Sequence, residues 1–535
     1  MPSYFGLRGR SLEAAIIWAV ILPSYLLFGY NNAVAGGLLS LPSWTSTFPR
    51  IDTATTTGAE KAANSRVQGT VVALYTLGCF FGALDCIWLG DRLGRKRTIM
   101  FGAAVNLLGA LLQASSFALP QLVVGRLVSG FGLGHLTATA PNWQAECSRA
   151  NHRGAVVLLE SVFISAGLAV AAWISFAVSH APGSVTWRFP LALSAFWSLL
   201  ILLATPHMPE SPRWLLAKGK LDEARRTLAA LQNVDLAHAA VQAQVAEIQE
   251  SLALAGQAKF RDVFCNGEAR LLHRTCLAAA GQMFQQMSGI NALAFYQETI
   301  FESDLGLPAT TARIIAASVF TWQTLCSPVG VLTVDRFGRR KLMLFSAAGM
   351  GVCMAIIAGG SSQPNNSSAI AAAAAFIFMF SFFFPTGFLG LTFLYAAEIA
   401  PLSHRSSITA ISTGSAWLFN FVVAEITPVG FSTIGYRYPI VYACINLFLT
   451  FPSVYFFFPE TSGRHLEEVD LIFRHSRSIF DTVSISKKLP RDAASRAMEG
   501  QEAAAASAEK EAEMAPVARH HSHPPGLDGA DSPKV

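Results

Sequence analysis

Apolar residues fall in long blocks of about 20, separated by short polar connections. A helix needs a run of that length to cross a bilayer. Twelve such blocks predict spans at roughly 12–39, 69–89, 98–116, 120–145, 155–179 and 187–207, then 272–300, 311–333, 342–360, 368–397, 407–430 and 437–458. The other spanning solution, a closed β-barrel, shows short alternating segments instead. The pattern therefore predicts an all-α membrane protein with twelve transmembrane helices in two six-helix halves. The expected organisation is a first half over 1–207, a cytoplasmic linker over 208–271, a second half over 272–458 and a cytoplasmic segment over 459–487. Helical periodicity predicts short surface helices at Leu221–Leu231, Val241–Leu254 and Leu466–Phe473. From about Lys488 the tail is rich in Ala, Glu, Ser and Pro, buries little, and is expected to be disordered over 488–535.

Composition agrees. The 535 residues are 52% hydrophobic and 14% charged, against about a quarter charged in soluble domains. A net charge of +5, spread over loops, points away from nucleic acid and toward orientation in a membrane. Bases such as Arg92, Arg149, Arg226 and Lys341 gather in the loops after even-numbered spans, which places both termini in the cytoplasm. Two overlapping sequons over Asn365–Ser368 then fall on the outer side. The eight cysteines show no paired spacing, so neither disulfides nor a metal site is expected. No nucleophile–base pair or phosphate loop appears in the spans, so neither an enzyme nor a cofactor is expected.

The chain also repeats itself. Gly90–Arg97 reads GDRLGRKR and Val334–Lys341 reads VDRFGRRK, each directly after an apolar block. Asp91/Asp335, Glu146/Glu398, Arg153/Arg405 and Glu210/Glu460 recur at offsets between 244 and 252. A six-plus-six repeat is a transporter signature, with the ligand held near the bilayer midplane between the halves.

GDRLGRKR, PESPRWL (Pro209–Leu215), QQMSGIN (Gln285–Asn291), VDRFGRRK and PETSG (Pro459–Gly463) together resemble the sugar porter family of the major facilitator superfamily. TATAPNWQAE (Thr137–Glu146) and SVTWRFPLA (Ser184–Ala192) look most like fungal sugar and polyol transporters. The resemblance implies the twelve-helix fold, cytoplasmic surface helices and alternating access.

Basic loops alone set topology, but Asp91 and the repeat call for more. Asp91, Arg95, Arg97, Glu146, Arg153, Glu210 and Arg213, echoed by Asp335, Arg339, Arg340, Glu398, Arg405 and Glu460, suggest networks joining loops to helix ends. The resemblance implies that such networks close the cytoplasmic side. Remaking a few partly exposed pairs shifts a two-state equilibrium by only a few kcal/mol, as a cycling carrier requires.

Span 7 carries Gln282, Gln285, Gln286 and Gly289 at helical spacing, with Asn291 just beyond. Amides in hydrocarbon need partners, either neighbouring helices or a ligand. Given the family, Gln285, Gln286 and Asn291 correspond to sugar-contacting positions, while Gln282 stays open between binding and packing. The resemblance also places candidates at Ser161, where Gln is usual; Gln323, where Asn is usual; and Phe393, where Trp is usual. An amide is usual where Ala416 stands, and Trp417 and Asn420 keep span 11 as a wall. The missing Trp removes a stacking platform for a pyranose face, which weakens hexose as the substrate.

For coupling, the family's proton symporters read FGYD in span 1, answered by an arginine in span 4. Here Phe28–Asn31 reads FGYN, opposite Arg126. Asparagine cannot take up a proton, so facilitated diffusion is favoured. Glu160 in span 5 is either an alternative proton site or a partner of Arg126. Asp85 is expected to snorkel or join the charged loops, and His135 and Glu425 to be structural. The expected partners are a sugar or polyol, the bilayer and, as the alternative, protons, at the plasma membrane. An exporter of a small hydroxylated metabolite and a non-transporting sugar sensor are the remaining alternatives.

Overall fold

Leu119–Cys147 sits so close to its neighbour that backbone meets backbone. A Cβ at Gly130 or Gly134 would run into the carbonyl oxygens of Tyr75 and Cys79 on Gly58–Leu93. Small residues on that face permit the approach, and dispersion and close packing hold helices together in lipid.

In the computed structural model, residues 2–147, 153–256, 259–304, 306–401, 403–464 and 466–489 are described. The spans in chain order are span 1, Gly9–Leu38; span 2, Gly58–Leu93; span 3, Arg95–Ala114; span 4, Leu119–Cys147; span 5, Arg153–Val178; and span 6, Val185–Ala204. Span 7 is broken into Leu271–Gln286 and Ile290–Thr299. Span 8 is Ala309–Phe337 and span 9 is Arg339–Ser361. Span 10 joins Ser367–Phe384 to Leu391–Ile399 through a π-helical turn, Pro385–Leu389. Span 11 is Arg405–Ile434, and span 12 comprises Tyr438–Cys444, the π-helical Ile445–Thr450 and Phe451–Phe457.

Nine stretches among the described residues are long and apolar enough to cross a membrane on length and composition alone. One of these, Arg405–Phe457, contains both span 11 and span 12. Span 4 and the broken span 7 lie outside the nine. Span 4 holds Gly125, Gly130, Gly132 and Gly134 beside buried Arg126 and His135, and span 7 holds buried Arg274, Gln282, Gln285 and Gln286, which lowers the hydropathy of both. The architecture is consistent with twelve spans.

Span 2 begins eleven residues before the expected apolar run, at Gly58 rather than near 69. Gly58–Gln68 is polar but helix-compatible, and tertiary bonds hold it. Asn64 Nδ2 donates to Asp52 O at 2.8 Å and Gln68 Nε2 to Ile51 O at 3.2 Å. Hydropathy marks the lipid-facing part of a helix, not its end.

In the linker, Pro212–Ala217, Leu221–Gln232 and Ala239–Gly256 form helices that share a small core around Leu215, Leu228 and Val245. Leu466–His475 and Asp481–Lys488 follow span 12. Met1–Lys488 is one compact unit, and of the second, Leu489–Val535, all but Leu489 lies outside the described residues, as does the expected disordered tail. Spans 2 and 11 pack together, as do spans 5 and 8, so the two groups of six meet along two seams.

Candidate functional site: a central cavity between two charged loop clusters

The repeat seen in the sequence recurs as geometry. Arg95 donates through Nε and Nη2 to the two carboxylate oxygens of Glu146, both at 3.0 Å, and lies 3.5 Å from Asp91. Arg339 does the same to Glu398, with Nη2 at 2.7 Å from Oε1, and reaches Asp335 at 2.9 Å. Bidentate guanidinium–carboxylate pairs combine strength with fixed geometry.

Each cluster closes on a carboxylate from the segment after the last span of its half. Glu210 accepts from the backbone N–H groups of Arg95 (3.0 Å) and Lys96 (3.2 Å), and Glu460 accepts from those of Arg339 (2.9 Å) and Arg340 (3.1 Å). These N–H groups open spans 3 and 9, where unpaired donors and the helix dipole favour an anion. The residue before each helix, Gly94 at φ +90° and Gly338 at φ +88°, adopts a conformation that side chains resist. A Cβ there would also fall 2.6 Å from Glu210 Oε2 or 2.5 Å from Glu460 Oε2. The glycine of the loop motif is thus explained by a glutamate more than 110 residues away. Burial pushes the Glu210 carboxyl above its ordinary value, against the backbone bonds from Ser211, Lys96 and Arg95.

Other loop candidates are placed differently. Arg97 is exposed on the first turn of span 3, outside the cluster around Arg95. Arg213 and Arg405 are half-buried at this end of the bundle, and the side chain of Arg153 lies outside the described residues. Asp85, expected to snorkel or join the loops, instead pairs with His135 Nε2 at 3.0 Å.

Midway along the helices, eighteen residues from spans 1, 4, 5, 7, 8, 10 and 11 line a central cavity. Of the expected binding residues, Gln285, Gln286, Asn291, Gln323, Phe393, Trp417 and Asn420 line it. Gln282 and Ser161 do not; both are buried in the packing. Gln282 lies a turn before Gln286, away from the break, and the span 5 wall is formed by Ile164 and Leu168 instead.

The break in span 7 brings this wall together. Helical hydrogen bonding stops at Gln286, and Gly289 takes φ +102°. The freed Ser288 carbonyl accepts from Asn446 Nδ2 at 2.8 Å. The π turn of span 10 likewise frees the carbonyls of Phe388 and Leu389, which accept from Gln285 Nε2 at 3.1 and 2.8 Å. Gln286 Nε2 donates to Gln285 Oε1 at 2.9 Å, and Asn291 Nδ2 to Gln286 Oε1 at 2.7 Å. Irregular backbone at membrane depth is tolerated only where it lines a cavity or is buried in protein.

Asn32 is a lining residue outside the FGYN motif, which ends at Asn31, so no sequence signal marks it. Asn31 points away from the cavity and accepts from Ser194 Oγ at 2.5 Å, whereas Asn32 lines the wall. Phe28, one turn earlier, meets Trp417 with ring centroids 5.2 Å apart, joining spans 1 and 11. Arg126 is buried, donates to Val72 O at 3.0 Å and lies 5.5 Å from the centre of the Tyr75 ring. Among the described residues no carboxylate pairs with it. Glu160 faces Tyr25 rather than Arg126, and its Oε1 is buried without a partner.

At the end away from the charged loops the two groups of six are bonded together. Thr70 donates to Glu425 Oε1 at 2.6 Å, Trp173 Nε1 to Thr321 Oγ1 at 2.9 Å and Arg313 Nη2 to Ser40 Oγ at 3.1 Å. Arg313 also pairs with buried Glu298 at 3.5 Å. The cavity is therefore shut on that side.

Comparison with known proteins bears on family and fold. The profile of the sugar (and other) transporter family matches residues 16–473. The chain is 36% identical to the MFS-type transporter oryC of Aspergillus oryzae over 95% of each chain. It is 34% identical to the sugar transporter STL1 of Saccharomyces cerevisiae over 88% of this chain and 83% of that one. Among solved structures it resembles the proton:xylose symporter XylE bound to 6-bromo-6-deoxy-D-glucose, with TM-score 0.73 and 23% identity over 86% of this chain and 99% of that one. That likeness shows the fold.

Proposed function

From the premise that the chain belongs to the sugar (and other) transporter family of the major facilitator superfamily, we propose that it carries a sugar or related polyol across the plasma membrane by facilitated diffusion. It is an alternating-access carrier and not an enzyme. The single observation that carries the reading is the central cavity, walled by the Gln285–Gln286–Asn291 amide chain and closed at one end only by contacts between the two groups of spans. Amides both donate and accept, as the hydroxyls of a sugar do.

Three further points complete the proposal. The two halves, 1–207 and 272–458, rock about the cavity, with the Arg95–Glu146 and Arg339–Glu398 clusters stiffening the ends that part and close. Both termini and the linker face the cytoplasm, because the bases gather in the loops on that side. Transport is not coupled to protons, because Asn31 cannot ionise and Arg126 has no carboxylate partner among the described residues. Glu160, buried with a free oxygen, supports proton symport as the second reading.

Uptake of labelled sugars and polyols into a transporter-null yeast, with and without a protonophore, tests this. Uptake that survives the protonophore is expected. Absence of uptake for every solute tested would sink the importer reading and favour export. Uptake abolished by the protonophore would sink facilitation, and Glu160→Gln would then be required to abolish coupling.

A further inference from the structure

The seam between spans 5 and 8 carries side-chain bonds at two levels, and they differ in kind. Near the outer end Trp173 Nε1 donates to Thr321 Oγ1 at 2.9 Å, and neither residue is buried. About two turns further in, Ser165 Oγ lies 2.9 Å from Ser327 Oγ and 3.3 Å from Gln323 Nε2, and all three residues are buried. A serine hydroxyl has one hydrogen to donate. Ser327 gives its hydrogen to the Gln323 main-chain carbonyl, which can only accept, at 2.8 Å. Ser165 therefore donates to Ser327 and accepts from the Gln323 amide. The three groups close a circuit that crosses from the first half to the second and back.

The circuit lies at the level of the cavity. Ile164 and Leu168, on either side of Ser165 in the chain, line the cavity, as Gln323 does. Pro328 follows Ser327 directly, and its missing N–H leaves a gap in the hydrogen-bond ladder of span 8 beside the circuit. When two rigid halves rock, a contact is displaced in proportion to its distance from the axis. A hydrogen bond survives only a small displacement. The outer bond can part, because its exposed groups can be hydrated instead. Opening the inner circuit would leave buried hydroxyl and amide groups unpaired, which is costly.

Resting on the alternating-access reading above, we infer that the Ser165–Ser327–Gln323 circuit is the fulcrum of the carrier and stays bonded while the ends of the halves part and close. Ser165 is then a positioning residue: it holds Gln323 in the cavity wall from the opposite half. The Trp173–Thr321 bond belongs to the outward-closed state alone.

The test uses the full chain in intact yeast, carrying Ser40→Cys. It reads the rate at which a membrane-impermeant maleimide labels that position, above the rate for the chain without it. Opening of the outer end sets this rate. A bond kept in both states biases neither, whereas a bond made in one state favours that state. Trp173→Phe keeps a ring but loses the N–H, and should label about fivefold faster. Ser165→Ala should label within about twofold of the parent, although the purified chain should melt at a lower temperature.

A covalent bond gives the second measurement. Ser165→Cys with Ser327→Cys should form a disulfide on treatment with copper phenanthroline, since the two hydroxyl oxygens already lie 2.9 Å apart. The oxidised chain should still label at Ser40→Cys within about twofold of its reduced form.

Labelling that falls about tenfold or more on oxidation would show that this contact opens during the cycle, and would overturn the fulcrum. So would a Ser165→Ala rate shifted as far as that of Trp173→Phe, or a disulfide that mass spectrometry of the peptides does not find. The Ser165→Ala measurement needs no disulfide. A parent that never labels at Ser40→Cys would remove the outward-open state, on which the carrier reading and the fulcrum both rest. Labelling of the parent with either measurement failing counts against the fulcrum alone.

Discussion

Gln285 on span 7 holds Leu389 on span 10: its Nε2 donates to the Leu389 carbonyl at 2.8 Å, across a hinge made of a broken helix and a π turn. The side chain named by the motif as a sugar contact is therefore also the clasp that shapes the cavity. Its neighbour Gln286 takes part in no bond to span 10; it links Gln285 to Asn291 and lines the cavity.

That division of labour separates two variants. Gln286→Ala should lower uptake by about tenfold or more, the equivalent of one or two lost hydrogen bonds of about 1 kcal/mol each, while leaving surface expression and thermal stability close to wild type. Gln285→Ala should lower both, because the Leu389 carbonyl loses its side-chain donor and the Phe388 carbonyl keeps only Thr392 Oγ1. Uptake assays paired with surface biotinylation and a thermal melt read both quantities. Normal uptake by Gln286→Ala would remove span 7 from the binding wall.

Gly94 and Glu210 should be coupled. Gly94→Ala forces a side chain into φ +90° and toward Glu210 Oε2, at a cost of about 1–3 kcal/mol for the backbone alone, with the collision added. Glu210→Ala removes the cap of span 3, worth about 1 kcal/mol. The double variant should be less destabilised than the two singles combined, by about 1 kcal/mol, because the collision partner is gone. Additive losses in thermal melts would show that the close approach of the two residues is not maintained.

Arg313 and Glu298 should be coupled with the opposite logic. Glu298 is buried and Arg313 nearly so. Arg313→Met leaves a buried carboxylate unpaired and removes the reach to Ser40, with an expected loss of about 3–5 kcal/mol. Glu298→Gln in the same chain should recover a large part of that loss. The single variant should also expose a cysteine placed at Ser40 to a membrane-impermeant maleimide more readily, since Ser40 is bonded to Arg313 in the closed end. Equal labelling with and without Arg313→Met would argue against a role for this pair in closure.

Asp52, in the connection between spans 1 and 2, gives a pH-dependent term. Burial pushes its carboxyl up, but hydrogen bonds from Thr55 Oγ1, Thr55 N and Ala54 N outweigh that and hold it below the usual carboxylate value. A lowered folded-state value contributes stability above the unfolded value of about 4, and the contribution fades as pH falls through the folded value. Asp52→Asn should therefore melt lower than wild type near neutral pH, and the gap should shrink toward pH 3. A gap that widens on acidification would reverse the assigned sign.

Twelve apolar blocks, the loop repeat and the motif signature were enough to establish an all-helical carrier of the sugar transporter family, because hydrocarbon thickness and backbone hydrogen bonding leave few ways to cross a bilayer. They also placed Gln285, Gln286 and Asn291 at one locus, since a helix break within QQMSGIN keeps them within six positions. What the linear pattern could not show was direction around each helix. Asn31 and Asn32 are adjacent in the chain, yet a helix turns about 100° per residue, so one meets Ser194 and the other the cavity. Gln282 and Ser161 carry the right chemistry on faces that pack inward. Glu160 matched Arg126 in charge but faces Tyr25. The pairing of Glu210 with Gly94 spans more than a hundred residues, and no local propensity encodes it. Tertiary packing decided which polar side chains are tied to neighbouring helices and which line the cavity, because the rotation of each helix is set by the partners it packs against.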